Sequence, residues 1–183
     1  MNSQVLDHPG IQKAVEFARK AHGLQQRKYT QVPYVEHPLE VLQILLQAGE
    51  YDLELLQAAL LHDVVEDTHI TLADIEIQFG PRVANYVEQM TDVSKPEDGP
   101  RTYRKALDLE HLKNTSYEGA TIKLADIISN TQNIAHYDPE FAKIYLQEKK
   151  AQLAILTHGN GKLWRAANQV IQLNEMQLNG KTY

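Results

Sequence analysis

The chain has 183 residues and a formal net charge of −6, and 43% of its residues are hydrophobic. This apolar content excludes an intrinsically disordered chain, and no stretch approaches the ~18 consecutive apolar residues of a transmembrane helix. The lack of cysteine excludes disulfides and thiolate metal sites. The acidic balance argues against broad binding to duplex nucleic acid, which needs a basic face, so we expect no nucleic-acid partner.

The first ten residues, MNSQVLDHPG, lack the basic and then apolar pattern of a signal peptide. We therefore expect a cytoplasmic protein with no membrane partner. The length is typical of one domain, and no stretch rich in Gly, Ser or Pro divides the chain. The sequence thus predicts a single domain over residues 1–183.

Apolar residues recur at helical spacing along almost the whole chain, and no segment shows the alternation of a strand. The first helix carries its apolar stripe from Ile11 to Ala21, and a polar stretch, GLQQRKYTQVPY, follows as a loop. Pro38 suits the first turn of a second helix, which Gly49 ends. Asp52 is expected to cap a third helix that is apolar on nearly all sides, as is typical of the centre of a helical bundle.

Thr71 and Asp74 have the spacing of a capping box for a short fourth helix, and Pro81 suits the start of a fifth. The stretch TDVSKPEDGP then predicts a loop. Later helices are expected at about residues 102–112, 119–134, 139–156 and 162–178. The sequence therefore predicts an all-α bundle of about eight to ten helices.

Four ionisable residues follow directly after the apolar run of the third helix: His62, Asp63, Glu66 and Asp67. Charged side chains are rarely buried unless they are paired or bind a metal. On one continuous helix, His62 and Glu66 share a face, as do Asp63 and Asp67. The segment is therefore either a functional cluster or the wet tip of a helix that emerges into solvent.

Two further residues support the interpretation of this segment as a functional cluster. His37 stands just before Pro38 at a predicted junction of loop and helix, and Asp126 lies in the apolar stretch IKLADIIS. Alone, His37 is explained as a helix cap and Asp126 as a paired core carboxylate. Together with His62 and Asp63, they supply two imidazoles and two carboxylates. This set suits Mn²⁺, Fe²⁺ or Zn²⁺ with positions left for water and substrate.

Several segments follow one another in a specific order and spacing: AVEFARKAHGLQQRK, PYVEHPLEV, AALLHDVVEDT, FG at 79–80, TD at 91–92 and KLADIISN. Through them the sequence resembles, over about residues 11–155, the HD-domain metal phosphohydrolases, and among them the small RelA/SpoT-type hydrolases of the alarmone (p)ppGpp. The resemblance implies one Mn²⁺ ion held by His37, His62, Asp63 and Asp126. It also implies a catalytic role for Glu66 and Asp67, and contacts to a nucleotide substrate from Arg27, Lys28 and Asn130.

Four positions depart from the pattern of these hydrolases, because Ala120, Ile127, Ser129 and Gln132 stand where relatives often have charged or aromatic residues. The expected reaction removes the 3′-pyrophosphate of guanosine 3′,5′-bis(diphosphate) and gives GDP and pyrophosphate. The departures leave other nucleotides open as substrates, such as the adenosine counterpart, a 5′-nucleotide or NADPH. A non-catalytic module that binds nucleotide or metal is a further alternative, although such a module would not need the acidic pair.

Overall fold

The computed structural model of the protein describes residues 3–180. Within this range the chain forms twelve α-helices and one 3₁₀-helix and has no strand beyond an isolated bridge between Gln26 and Pro33. Nine of the twelve described α-helices have eight or more residues, and the other three are single turns. The predicted all-α class is confirmed.

The chain divides into two compact units, one up to Thr91 and the other from Asp92 onward. The helices of the first unit are α1 Ser3–Leu6, α2 Pro9–His22, α3 Glu36–Ala48, α4 Leu53–Leu61, α5 Val64–Asp67, α6 Leu72–Phe79 and α7 Pro81–Met90. The second unit contains the 3₁₀-helix Pro96–Asp98 and then α8 Arg101–Leu112, α9 Tyr117–Thr131, α10 Ile134–Tyr137, α11 Pro139–Ile155 and α12 Gly161–Leu178.

Helix α4 is the central helix of the first unit and packs against α2, α3 and α7. All seven residues from Leu55 to Leu61 are buried, which explains why this helix is apolar on nearly all sides. The carboxylate of Asp52 accepts a 2.9 Å hydrogen bond from the backbone N–H of Leu55, so the predicted cap is confirmed.

The turn between α6 and α7 also follows the local sequence signals. The side chain of Thr71 accepts from the backbone of Asp74, and the carboxylate of Asp74 accepts in return from the backbone of Thr71. Gly80 adopts a φ of 92°, which a residue with a Cβ rarely reaches, and Pro81 then begins α7. The predicted fourth and fifth helices are confirmed.

The segment with the four ionisable residues differs from its prediction. Helix α4 ends at Leu61 and the single turn α5 begins at Val64, so the expected continuous helix is wrong. The imidazole of His62 donates through Nδ1 to the carbonyl of Ala59 at 2.8 Å, and thereby satisfies a carbonyl in the last turn of α4. The break places His62 and Asp63 between two helices.

Helix α9 is the central helix of the second unit and packs against α11 and α12. The predicted helix over residues 119–134 ends early, because α9 stops at Thr131 and α10 begins at Ile134. Asn174 of α12 satisfies the backbone at this break. Its amide nitrogen donates to the carbonyl of Thr131 at 2.9 Å, and its amide oxygen accepts from the N–H of Ala135 at 3.0 Å.

None of the described helices has the length and apolar character needed to cross a membrane.

Candidate metal centre

Three potential metal ligands meet in the first unit. His37 lies in the first turn of α3, and His62 and Asp63 form the break between α4 and α5. One donor atom from each residue lies within 4.8 Å of the other two. Nε2 of His62 is 3.1 Å from Oδ1 of Asp63, and Nε2 of His37 is 3.4 Å from Oδ2.

The donor set fits a divalent transition-metal ion. Both imidazoles are buried, with 1% of His37 and 2% of His62 exposed, and both aim Nε2 at the same carboxylate. Because Nδ1 of His62 donates to a backbone carbonyl, Nε2 is the nitrogen that would bind a metal ion, which is the arrangement typical of histidine ligands. Imidazole and carboxylate ligands of this kind are chemically compatible with Mn²⁺, Fe²⁺ and Zn²⁺.

Asp63 is held in its anionic form. Burial raises the pKa of this carboxyl, but the charges and hydrogen bonds of His62 and His37 outweigh burial and hold the pKa well below its usual range. An ionised carboxylate is the form that binds a cation.

Tyr34 completes the surroundings of Asp63 and was missed by the sequence analysis. Its phenol donates a 2.7 Å hydrogen bond to Oδ2 of Asp63. Burial and the neighbouring charge of Asp63 raise the pKa of Tyr34, so the phenol stays protonated and remains a donor. The signal in the sequence was its position three residues before His37 in the segment PYVEH.

The end of α2 connects this tyrosine to the acidic turn. The ring of His22 lies against the ring of Tyr34 with 4.5 Å between centroids, and its Nδ1 donates to the amide oxygen of Gln25 at 2.8 Å. Gln25 in turn donates to the backbone carbonyl of Asp67 at 2.9 Å, and its own carbonyl accepts from the N–H of Tyr34. His22 and Gln25 therefore position two elements of the site, a role that was not predicted from the sequence.

The predicted catalytic acids, Glu66 and Asp67, both lie on the single turn α5, and both are exposed. Although the residue as a whole is exposed, partial burial of its carboxyl group and the negative charge of Asp63 raise the pKa of Asp67. A carboxylate with a raised pKa is a stronger proton acceptor than an ordinary aspartate.

The remaining predicted ligand, Asp126, is buried on α9 of the second unit. Its Oδ2 is 3.2 Å from Nζ of Lys123, and its Oδ1 accepts a 2.6 Å hydrogen bond from the amide of Asn130. Asn130 thus orients a predicted ligand as well as being a predicted substrate contact. The role of Asp126 as a fourth ligand stays a prediction.

The predicted substrate residues Arg27 and Lys28 lie in the loop between α2 and α3. The N–H of Arg27 donates to the carbonyl of Val32 at 2.9 Å, which closes a tight loop in which Gln31 has a φ of 56°. The ammonium of Lys28 donates to the hydroxyl of Tyr29 at 3.0 Å and lies over its ring. Their contacts with a substrate stay a prediction.

The sequence is similar to those of a known family of proteins. A family described as HD domain matches residues 14–156. The guanosine-3′,5′-bis(diphosphate) 3′-pyrophosphohydrolase MESH1 of Xenopus tropicalis is 42% identical over 132 residues, which cover 71% of this chain and 72% of that protein. The human protein of the same name is 40% identical over 130 residues, which cover 70% of this chain and 71% of that protein.

Solved structures agree with the sequence comparison. A structure described as a metazoan ortholog of SpoT that hydrolyses ppGpp matches with a TM-score of 0.80 and 29% identity, covering 96% of this chain and 98% of that one. The protein lmo0812 of Listeria monocytogenes matches with a TM-score of 0.63 and 26% identity, over 79% of this chain and 99% of its own. The resemblance noted from the sequence is confirmed, and the chain belongs to the HD-domain family.

Proposed function

We propose that this protein is a metal-dependent phosphohydrolase that removes the 3′-pyrophosphate of guanosine 3′,5′-bis(diphosphate), giving GDP and pyrophosphate. The observation that carries the proposal is the convergence of His37, His62 and Asp63 within 4.8 Å, directly before an acidic turn. The chain shares 42% identity with a protein named for this activity, which supports the same substrate.

The proposed cofactor is one Mn²⁺ ion held by His37, His62, Asp63 and Asp126, and Fe²⁺ or Zn²⁺ would also suit these ligands. When bound, such an ion lowers the pKa of a coordinated water and offsets negative charge on the phosphoryl group. The protein's contribution is to keep Asp63 ionised through its two histidine neighbours and to orient it through Tyr34.

Glu66 and Asp67 are the proposed groups that position the attacking water and accept its proton. The raised pKa of Asp67 favours this residue as the base. The water oxygen attacks the phosphorus atom that is bonded to the ribose 3′ oxygen. A bond forms between the water oxygen and this phosphorus, and the bond between the phosphorus and the 3′ oxygen breaks. The 3′ oxygen takes up a proton and leaves as the hydroxyl of GDP, while the two phosphates leave together as pyrophosphate.

Arg27, Lys28 and Asn130 are the proposed substrate contacts. An arginine can stack on a purine or clamp a phosphate, and a lysine supplies a point charge to the same polyanion. The amide nitrogen of Asn130 donates to Asp126, and its amide oxygen can accept from a ribose hydroxyl.

We further propose that residues 1–183 form one HD hydrolase domain in the cytoplasm. The family match over residues 14–156 includes parts of both compact units, which supports a single functional domain.

A nucleotide panel assayed with Mn²⁺ tests the proposed reaction, provided that phosphate and pyrophosphate release are measured separately. We expect pyrophosphate from guanosine 3′,5′-bis(diphosphate). The panel includes the adenosine counterpart, 5′-mononucleotides and NADPH, because Ile127 and Ser129 are buried apolar or small residues where relatives often have charged or aromatic ones. Phosphate release from mononucleotides without pyrophosphate release from either bis(diphosphate) would contradict the proposed substrate.

A further inference from the structure

A buried lysine of the second unit has no role in the reaction described above. Lys149 lies on α11 with only 8% of its surface exposed. Its ammonium donates to the amide oxygen of Gln152 at 3.1 Å and lies 4.9 Å from the ring centroid of Tyr145. Within the described part of the chain, Lys149 forms no ion pair with a carboxylate.

Two other lysines approach Lys149 from neighbouring helices. Lys105 projects from α8 and Lys123 from α9, and α11 packs against both of these helices. The electrostatic environment of Lys149 includes both of these cations and the carboxylates of Asp126 and Asp92. We call Lys105, Lys123 and Lys149 the lysine cluster.

The three members of the lysine cluster differ in how their charges are balanced. Lys105 donates to the carboxylates of Asp92 and Asp108, and Lys123 lies 3.2 Å from Oδ2 of Asp126. Among the described residues, the ammonium group of Lys149 contacts the amide oxygen of Gln152 and the ring of Tyr145, and neither carries a negative charge.

Burial lowers the pKa of Lys149 to about 8, and the charge of Lys123 acts in the same direction. The group therefore remains mostly protonated at neutral pH. The carboxylates of Asp126 and Asp92 stabilise the charge of Lys149 but do not outweigh its burial. A buried ammonium group that makes no direct ion pair is unfavourable, and an anion supplied by a ligand would lower that cost.

We propose that Lys149 is the central cation of a subsite that binds a phosphate group of the substrate, with Lys123 beside it and Lys105 at its border. A lysine ammonium is a point charge that suits phosphate oxygens. Lys123 contacts Asp126, so the subsite adjoins a predicted metal ligand on the same helix. The identification of the anion as part of the substrate rests on the proposed function.

This subsite also bears on the four departures noted in the sequence. Ala120, Ile127 and Ser129 are buried in α9 where relatives often have charged or aromatic residues. Lys149 supplies a positive charge from a different helix, α11. A phosphate group of the substrate would thus bind a cation on α11 instead of one on α9.

Pyrophosphate is the direct probe of the subsite, because it is a polyanion whose binding requires no catalysis. Isothermal titration calorimetry compares the chelator-treated wild type with Lys149→Met, Lys149→Arg and Lys143→Met at low ionic strength. Lys143 lies on the same helix and pairs with Glu140 at the surface, so it is a matched control.

We expect Lys149→Met to weaken pyrophosphate binding about tenfold or more, as for the loss of a charge-assisted hydrogen bond. Lys149→Arg should retain part of the affinity and Lys143→Met all of it. Thermal unfolding of each variant checks the fold, and Met is expected to be tolerated because it fills similar volume without a buried charge. Equal binding by wild type and Lys149→Met, or no binding by the wild type, would overturn the subsite.

Steady-state kinetics with guanosine 3′,5′-bis(diphosphate) and Mn²⁺ provide the second measurement. We expect Lys149→Met to raise KM about tenfold and to change kcat by less than about threefold. An unchanged KM would overturn the assignment of the anion to the substrate. If pyrophosphate binding depends on Lys149 but no nucleotide releases pyrophosphate, the subsite stands and the proposed reaction fails.

Discussion

Tyr34 donates a 2.7 Å hydrogen bond to Oδ2 of Asp63, the carboxylate that also contacts the imidazoles of His37 and His62. The two residues are 29 positions apart in the sequence. The bond therefore ties the loop before α3 to the break after α4, and it orients the only carboxylate among the three clustered ligands of the first unit.

Replacement of Tyr34 by Phe removes this hydrogen bond and keeps the ring. Loss of a hydrogen bond that orients a ligand typically lowers metal affinity about 10- to 100-fold, and we expect a change of that size in the affinity for Mn²⁺. Titration calorimetry of the chelator-treated protein measures it. Tyr29→Phe, which removes a hydroxyl bonded to Lys28 instead, is the control, and equal Mn²⁺ affinity in both variants would contradict an orienting role for Tyr34.

The metal ligands are tested by removing their donor atoms. Protein purified without chelator should contain about one equivalent of a divalent metal. His62→Ala and Asp63→Ala should lose most of this metal, and Asp126→Ala should do so if Asp126 is the fourth ligand. Elemental analysis measures the content, with His69→Ala as a control at an exposed position between α5 and α6. Equal metal content in all variants would exclude this centre.

Glu66 and Asp67 should be needed for turnover rather than for metal binding. We expect Glu66→Gln and Asp67→Asn to lower kcat by roughly 10²-fold or more, as for loss of a general base, while the bound metal stays unchanged. The raised pKa of Asp67 predicts the larger loss for Asp67→Asn. Glu76→Gln changes an exposed carboxylate on α6 and serves as control. Full activity in both test variants would show that the pair is only a solvated turn.

Arg27 should contribute to substrate binding rather than to chemistry. We expect Arg27→Ala to raise KM for guanosine 3′,5′-bis(diphosphate) more than it lowers kcat, since it removes an interaction that is present in both ground and transition states. Arg19→Ala, at an exposed position of α2, is the control for a general change in charge. A fall in kcat with unchanged KM would place Arg27 in the chemical step instead.

Lys149 should make the stability of the protein depend on pH in the alkaline range. Its pKa is about 8 in the folded protein and 10.5 for the free side chain. Below pH 8 the ammonium is charged in both the folded and the unfolded protein, so burial of the charge lowers the stability of the folded protein by its full amount. As pH rises from about 8 to 10.5, the folded state loses the proton first, and this cost disappears.

Lys149→Met should therefore be more stable than the wild type at pH 7, by an amount on the order of 3 kcal/mol, and this difference should shrink toward pH 10.5. Urea unfolding at several pH values measures the free energy of unfolding of both proteins. Both proteins keep the neighbouring charges of Lys105, Lys123, Asp92 and Asp126, so the difference between them reports on Lys149. A difference that stays constant across this range would mean that Lys149 does not change its charge there.

The sequence by itself determined the helical class and most helix ends. Asp52, and Thr71 with Asp74, cap helices as their spacing predicts, because each cap joins a side chain to a backbone group only three residues away. The order of the motifs around His37, His62 and Asp63 was likewise sufficient to predict a metal centre, since a run of apolar residues leaves few reasons for buried imidazoles and carboxylates.

Only the tertiary structure decided the features that depend on distant partners. The end of α9 at Thr131 is stabilised by Asn174, which lies 43 positions away. Tyr34 and Lys149 showed no distinct local pattern, and their roles follow from a carboxylate on another segment and from burial among three helices. Hydrogen-bond partners and burial are set by packing, which brings together residues that are far apart in the chain, so spacing along the sequence could not reveal them.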